Sequence, residues 1–183
     1  MPDQTPFDLY LAGNLNAMTP AHINGYETFE NRTVCDNCHT LPLFTDNAYY
    51  NIGLRPADED AGRMDVTGDA ADFGRFKTPS LRNVGLRGAL THVGWTVDAQ
   101  DSIDFYNAVS LDTGHTQVTE NQSGIPTARG GVVDCSMLEM PERFQVNVVD
   151  FLANALMDPR VANEEFPFDR PLLGSEVEGE SRI

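Results

Sequence analysis

Cys35-Asp36-Asn37-Cys38-His39 constrains this chain more than any other stretch of it. Two thiols three residues apart can add to the two vinyl groups of one porphyrin, and the adjacent histidine then lies under the iron and binds it through an imidazole nitrogen. Two other chemistries share the cysteine spacing. A redox Cys-x-x-Cys calls for a βαβ setting, and the flanking sequence carries no strand pattern. A zinc site calls for a second ligand pair, and Cys135, His92 and His115 would have to supply it. The motif therefore points to one covalent heme c held by Cys35 and Cys38, with His39 as proximal iron ligand. Thioether attachment takes place outside the bacterial cytoplasm, so the mature chain is expected to be periplasmic or extracellular. Cys135 is left over, either as a buried inert thiol or as half of a disulfide to another chain.

The 183 residues are enough for one domain with a real core. No apolar run approaches the ~20 residues needed to cross a bilayer, so no membrane span is expected. The first residues, Met1 to Gly13, lack a basic segment followed by an apolar one, so any signal peptide is expected to be gone already. Lysine and arginine total 12 against 28 acidic residues, for a net charge of −16. Such a surface repels phosphate backbones, which argues against a nucleic-acid partner. It suits solubility or a saline habitat, and it would also steer the chain toward a basic protein partner.

The periodicity predicts a mainly α chain. Thr19-Pro20 reads as an N-cap with proline at the first helical position, and Ile23, Tyr26 and Phe29 follow at near-helical spacing up to Asn31. Residues 40 to 85 are punctuated by Gly, Pro and Asp, and predict loop with short helical turns. A second helix is expected after Asp98, with Ile103 and Tyr106 on one face. Residues 110 to 135 read as a long loop. The clearest helix opens at Pro141, carries Phe144, Val148 and Leu152 four apart, adds Val149 and Leu156 to an overlapping stripe, and stops at Asp158-Pro159. The acidic stretch after Asn163 is expected to wrap the surface, with 174–183 a flexible tail.

Several blocks resemble the C-terminal half of the bacterial di-heme cytochrome c peroxidase and MauG family. They are Asp60-Ala61-Gly62-Arg63, Gly74-Arg75-Phe76-Lys77-Thr78-Pro79-Ser80-Leu81-Arg82-Asn83-Val84 and His92-Val93-Gly94. The approach to the heme motif, Asp8 to Gly13, fits as well, as do Pro42 to Asp46, Asn51 to Gly53 and the ending Asp158 to Asp169. The likeness runs over residues 8–173, so 1–183 is expected to form a single cytochrome c-like heme domain with long irregular loops. The family pairs two such domains: the N-terminal heme binds peroxide, and the C-terminal heme takes in electrons or shares oxidising equivalents. Only the second is represented in this sequence.

The resemblance also implies a distal ligand. In the family it lies about fourteen positions after the histidine of the His-x-Gly element, as methionine in the peroxidases and tyrosine in MauG. Counting from His92 reaches Tyr106, so a MauG-like phenolate ligand is expected. The rivals are Met64, Met137, Met140, His92 and His115, or an open sixth position. Arg82 is expected beside the heme, where its planar fork could bind a buried propionate, or else in a surface ion pair with one of the 28 acidic residues. Phe76, Pro79 and Leu81 are expected as apolar heme neighbours. Trp95, the lone tryptophan, reads as packing, because the family's relay tryptophan lies in the other domain. The family often holds calcium through a Thr-Ala-Pro stretch. Arg87-Gly88-Ala89 stands there instead, so no such calcium is expected.

The expected role is electron transfer by one covalent heme, within or to a peroxidase/MauG-like complex that supplies a second heme domain or subunit and a redox donor or acceptor. The alternatives are a peroxidase acting on hydrogen peroxide, alone or as part of a di-heme enzyme, and a subunit whose heme mainly holds the fold.

Overall fold

The computed structural model describes residues 3–52, 60–94, 96–111 and 140–169. Trp95, His115, Cys135, Met137, most of the expected loop 110–135 and the tail 174–183 lie outside the described residues. Six α-helices occur among those described: α1 (Pro6–Leu11), α2 (Pro20–Asn31), α3 (Met64–Thr67), α4 (Ala99–Leu111), α5 (Glu142–Asp150) and α6 (Pro159–Ala162). The strands described are two residues each, β1 (Tyr49–Tyr50) and β2 (Phe76–Lys77), paired antiparallel with Tyr49 opposite Lys77 and Tyr50 opposite Phe76. The chain is thus mainly α.

Local chemistry explains where the helices begin. Thr19 caps α2 by accepting from the His22 amide at 3.1 Å, while His22 Nδ1 accepts from the Thr19 amide at 3.4 Å. Thr5 caps α1 in the same way: its hydroxyl accepts from the Asp8 amide at 3.1 Å, and the Asp8 carboxylate accepts from the Thr5 amide at 3.3 Å. Helix α1 is an addition to the sequence reading, although Thr5-Pro6-Phe7-Asp8 carries its start signal. Helix α5 follows Pro141 as expected, but its stripe continues through a π-helical turn at Phe151–Ala155. Asp158 then caps α6, so the residue that stops one helix starts the next.

The core gathers on the α2–α5 contact. Phe7, Phe44, Val148, Phe151 and Leu156 are fully buried. Phe7 meets Phe44 edge-on at 5.4 Å and Phe151 edge-on at 5.6 Å, the arrangement that ring quadrupoles favour. Gly25 lets the two helices approach, because a Cβ there would collide with the Asn147 carbonyl and lie 2.7 Å from the Phe151 Cβ. Among the described residues, no helix is long and apolar enough to cross a membrane.

Candidate heme-binding site

A cavity of about 320 Å³ opens beside this core. Cys35, Cys38 and His39 line it, joined by Phe76, Pro79 and Leu81 from the β2 segment, Ile103 and Tyr106 from α4, and Val148 and Leu152 from α5. Residues more than a hundred positions apart are therefore brought to one wall system.

The motif folds as a single 3-10 turn at Cys35–Asn37, and the His39 amide closes it by donating to the Cys35 carbonyl at 2.9 Å. Neither Cys35 nor Cys38 is part of a disulfide. Burial is the main influence on the Cys35 thiol and pushes it up, so the neutral thiol is favoured.

His39 is oriented by the loop that follows it. Its Nδ1 lies 3.0 Å from the Phe44 carbonyl oxygen. A carbonyl can only accept, so the proton sits on Nδ1 and the lone pair on Nε2. Burial lowers the pKa of the ring, and the carbonyls of Phe44 and Pro79 oppose it only in part. The neutral, metal-binding form is therefore favoured. Phe44 supplies that carbonyl from a left-handed backbone (φ 54°) while fully buried, a conformation that costs of order 1–3 kcal/mol for a bulky residue. Cross-links to the β2 segment hold it there. Thr45 Oγ1 donates to the Thr78 carbonyl at 2.7 Å, Ser80 Oγ to the Leu43 carbonyl at 2.6 Å, and the Leu81 amide to the Phe44 carbonyl at 3.3 Å.

Tyr106 is half-buried on the cavity wall and packs against Phe105 at 5.4 Å between ring centroids, in a cluster with Ile52 and Val93. Its rivals sit differently. Met64 opens α3 and does not line the cavity. Met140 is buried in the core, its amide donating to Asn107 Oδ1 at 2.9 Å, and it too is away from the wall. His92 does line the cavity, but its ring stacks on Phe76 at 3.5 Å, with Nε2 4.0 Å from Asp60.

Arg82 takes up an ion pair with an acidic residue of the chain. It is absent from the cavity wall, and its fork grips Asp8 of α1 through Nη1 at 2.8 Å and Nη2 at 2.7 Å, while Nε donates to the Pro42 carbonyl at 3.0 Å. The guanidinium that seemed suited to a propionate is committed to a carboxylate of the chain itself. Asp8 offers the same planar acceptor and is already in place when the domain folds. Sequence reasoning also missed the Phe44 carbonyl, whose role depends on backbone geometry, and Lys77 and Arg87, the two basic side chains of the cavity wall.

The donor set fits a c-type heme. Two cysteine side chains outside any disulfide, a neutral imidazole with Nε2 carrying the lone pair, and a phenol share a mostly apolar cavity. Among the described residues, no group of three His, Cys, Asp or Glu side chains is arranged to hold a bare metal ion.

No family model matches the chain. Its sequence is similar to cytochrome-c peroxidase IdrP1 of Denitromonas iodatirespirans (31% identical, covering 57% of this chain and 36% of that protein). It is also similar to cytochrome c551 peroxidase of Nitrosomonas europaea (33% identical, 58% of this chain and 33% of that protein). A third relative is the methylamine utilization protein MauG of Methylorubrum extorquens (31% identical, 56% of this chain and 30% of that protein). The chain thus spans about a third of the length of these curated relatives. Among solved structures, the fold is similar to a MauG-like protein associated with microbial copper homeostasis (TM-score 0.71, 21% identical, 92% of this chain and 51% of that one). It is likewise similar to the diheme peroxidase BthA from Burkholderia thailandensis (TM-score 0.65, 22% identical, 94% of this chain and 51% of that one).

Proposed function

Starting from a chain whose homologues are the cytochrome c peroxidases and MauG, we propose that it is a c-type cytochrome domain that moves electrons through one covalent heme. One observation carries the reading: Cys35, Cys38 and His39 share a cavity with Tyr106, and the Phe44 carbonyl directs His39 to present Nε2. Cys35 and Cys38 would hold the porphyrin by thioether bonds, and His39 and Tyr106 would bind its iron. When bound, the iron supplies one-electron redox chemistry. Phenolate is a hard anionic donor that favours the ferric state and keeps the potential low. Phe76, Pro79 and Leu81 would give the porphyrin apolar neighbours.

The whole of 1–183 acts as one domain. With His39 and Tyr106 both available to hold the iron, this domain would relay electrons and leave substrate chemistry to a partner. The partner is a second heme domain or subunit of a peroxidase/MauG-like assembly. A redox protein serves as donor or acceptor, and the net charge of −16 favours one with a basic face. The setting is periplasmic or extracellular, and the family's calcium plays no part.

The test is the optical spectrum of the ferric, heme-loaded protein before and after hydrogen peroxide is added. A low-spin spectrum without the methionine-to-iron charge-transfer band, unchanged by peroxide, is the expected result. A high-spin spectrum that peroxide alters would overturn it and put peroxidase activity of this chain in its place, the activity named for several of its relatives.

A further inference from the structure

With Arg82 committed to Asp8, the heme carboxylates need another counter-charge, and the cavity wall offers one. Among the described residues, the basic side chains lining it are Arg87 and Lys77. Lys77 is the single lysine of the whole chain. Both side chains are exposed, so they sit where the cavity meets water. Porphyrin propionates suit that position too, because burying a carboxylate away from water is costly.

The two cations are held by different devices. Arg87 follows the 3-10 turn Val84–Leu86, and its amide donates to the Val84 carbonyl at 3.1 Å. Gly85 lets this turn pack against the π-helical turn that follows α5, since a Cβ there would collide with the Ala153 carbonyl. Among the described residues, the Arg87 guanidinium has no hydrogen-bond or ion-pair partner, although the chain carries 28 acidic side chains. Lys77 lies on β2, and its Nζ donates to Asn47 Oδ1 at 2.7 Å, a contact that leaves two of its three protons for other acceptors.

We infer that Arg87 is the main propionate-binding residue of this site, with Lys77 as its second cation. The inference rests on the heme reading of the cavity. It gives a role to the arginine that stands where the resembled family has a threonine. Neutralising a propionate with Arg87 places positive charge near the iron, which favours the reduced state and lowers the propionate pKa. The other titratable groups on the wall are His39, His92, Tyr50, Tyr106, Cys35 and Cys38, with Asp60 beside His92 and Asp46 bonded to Tyr50.

The experiment is a redox titration of the heme-loaded protein between about pH 5 and pH 8, on wild type, Arg87→Ala, Arg87→Lys and Lys77→Ala. Heme content is read separately, from the pyridine hemochrome and the intact mass. Arg87→Ala should lower the midpoint potential and move the propionate titration seen in it upward by about one pH unit. Lysine at 87 should restore most of that shift, and Lys77→Ala should give a smaller change of the same sign. If Arg87→Ala carries heme with an unaltered spectrum and the same potential at every pH, the inference is overturned. If wild type itself carries no thioether-bound heme, the reading beneath it fails instead.

Discussion

Arg82 and Asp8 lie 74 residues apart in sequence and form a two-pronged ion pair with contacts of 2.7 and 2.8 Å. The Arg82 side chain is 7% exposed and that of Asp8 18%. The pair ties α1 to the segment that backs the heme cavity, because Arg82 also holds the Pro42 carbonyl. Removing one member of such a pair strands the other charge away from water. Asp8→Ala should cost about 3 kcal/mol, read as a lowered urea midpoint. An effect below about 0.5 kcal/mol would mean that the pair behaves as an exposed one.

Acid should weaken the fold through a second carboxylate. Asp158 is fully buried, and its pKa falls from 3.8 to about 2, chiefly through hydrogen bonds from Arg160. Burial pushes the other way but is outweighed. For Asp8, burial is the largest influence and raises the pKa, yet the bonds from Arg82 and Thr5 together leave it lowered. A depressed folded-state pKa stabilises the fold above the unfolded value, and that contribution disappears as pH falls through the folded one. Stability to urea should therefore decline from about pH 4 toward pH 2. Asp158→Asn should be weaker at neutral pH and flatter over that window. A variant that tracks wild type through the whole range would refute the assignment.

The α2–α5 contact makes a sharp prediction about small residues. Gly25→Ala forces a methyl group into the Asn147 carbonyl, a backbone atom that cannot rotate aside. The expected loss is about 1–3 kcal/mol. Gly88 meets nothing within 4 Å of an added Cβ, so Gly88→Ala should leave the urea midpoint near its wild-type value. Equal effects at the two positions would contradict the packing described.

Tyr106→Phe tests the distal ligand of the proposed site. Loss of the phenol oxygen should turn a low-spin ferric spectrum high-spin and open the iron to cyanide or peroxide. Cys35→Ser with Cys38→Ser should abolish covalent heme while leaving the His39–Phe44 hydrogen bond possible. An unchanged spectrum in Tyr106→Phe would pass the distal role to another residue, with His92 the described rival on the cavity wall.

Much of this was readable from the residues in order. The Cys35-x-x-Cys38-His39 spacing, the Thr19-Pro20 start and the Phe144, Val148, Leu152 stripe are short-range patterns, and each is governed by chemistry within a few residues. The start of α1 was just as local and was overlooked, since Thr5 and Asp8 make the same reciprocal cap as Thr19 and His22. Arg82 is decided at longer range. A buried arginine needs a carboxylate, but nothing in sequence order says whether it will come from the heme or from a residue 74 positions away.

The sequence by itself therefore determined the Cys35-x-x-Cys38-His39 spacing and the helical character, because spacing and capping act along the chain. Tertiary structure alone decided which nitrogen His39 presents, where Arg82 spends its charge and which cations reach the cavity. Those depend on the Phe44 carbonyl, the Asp8 carboxylate and the turn before Arg87 arriving at fixed points in space. Long-range packing sets those points, and periodicity carries no record of it.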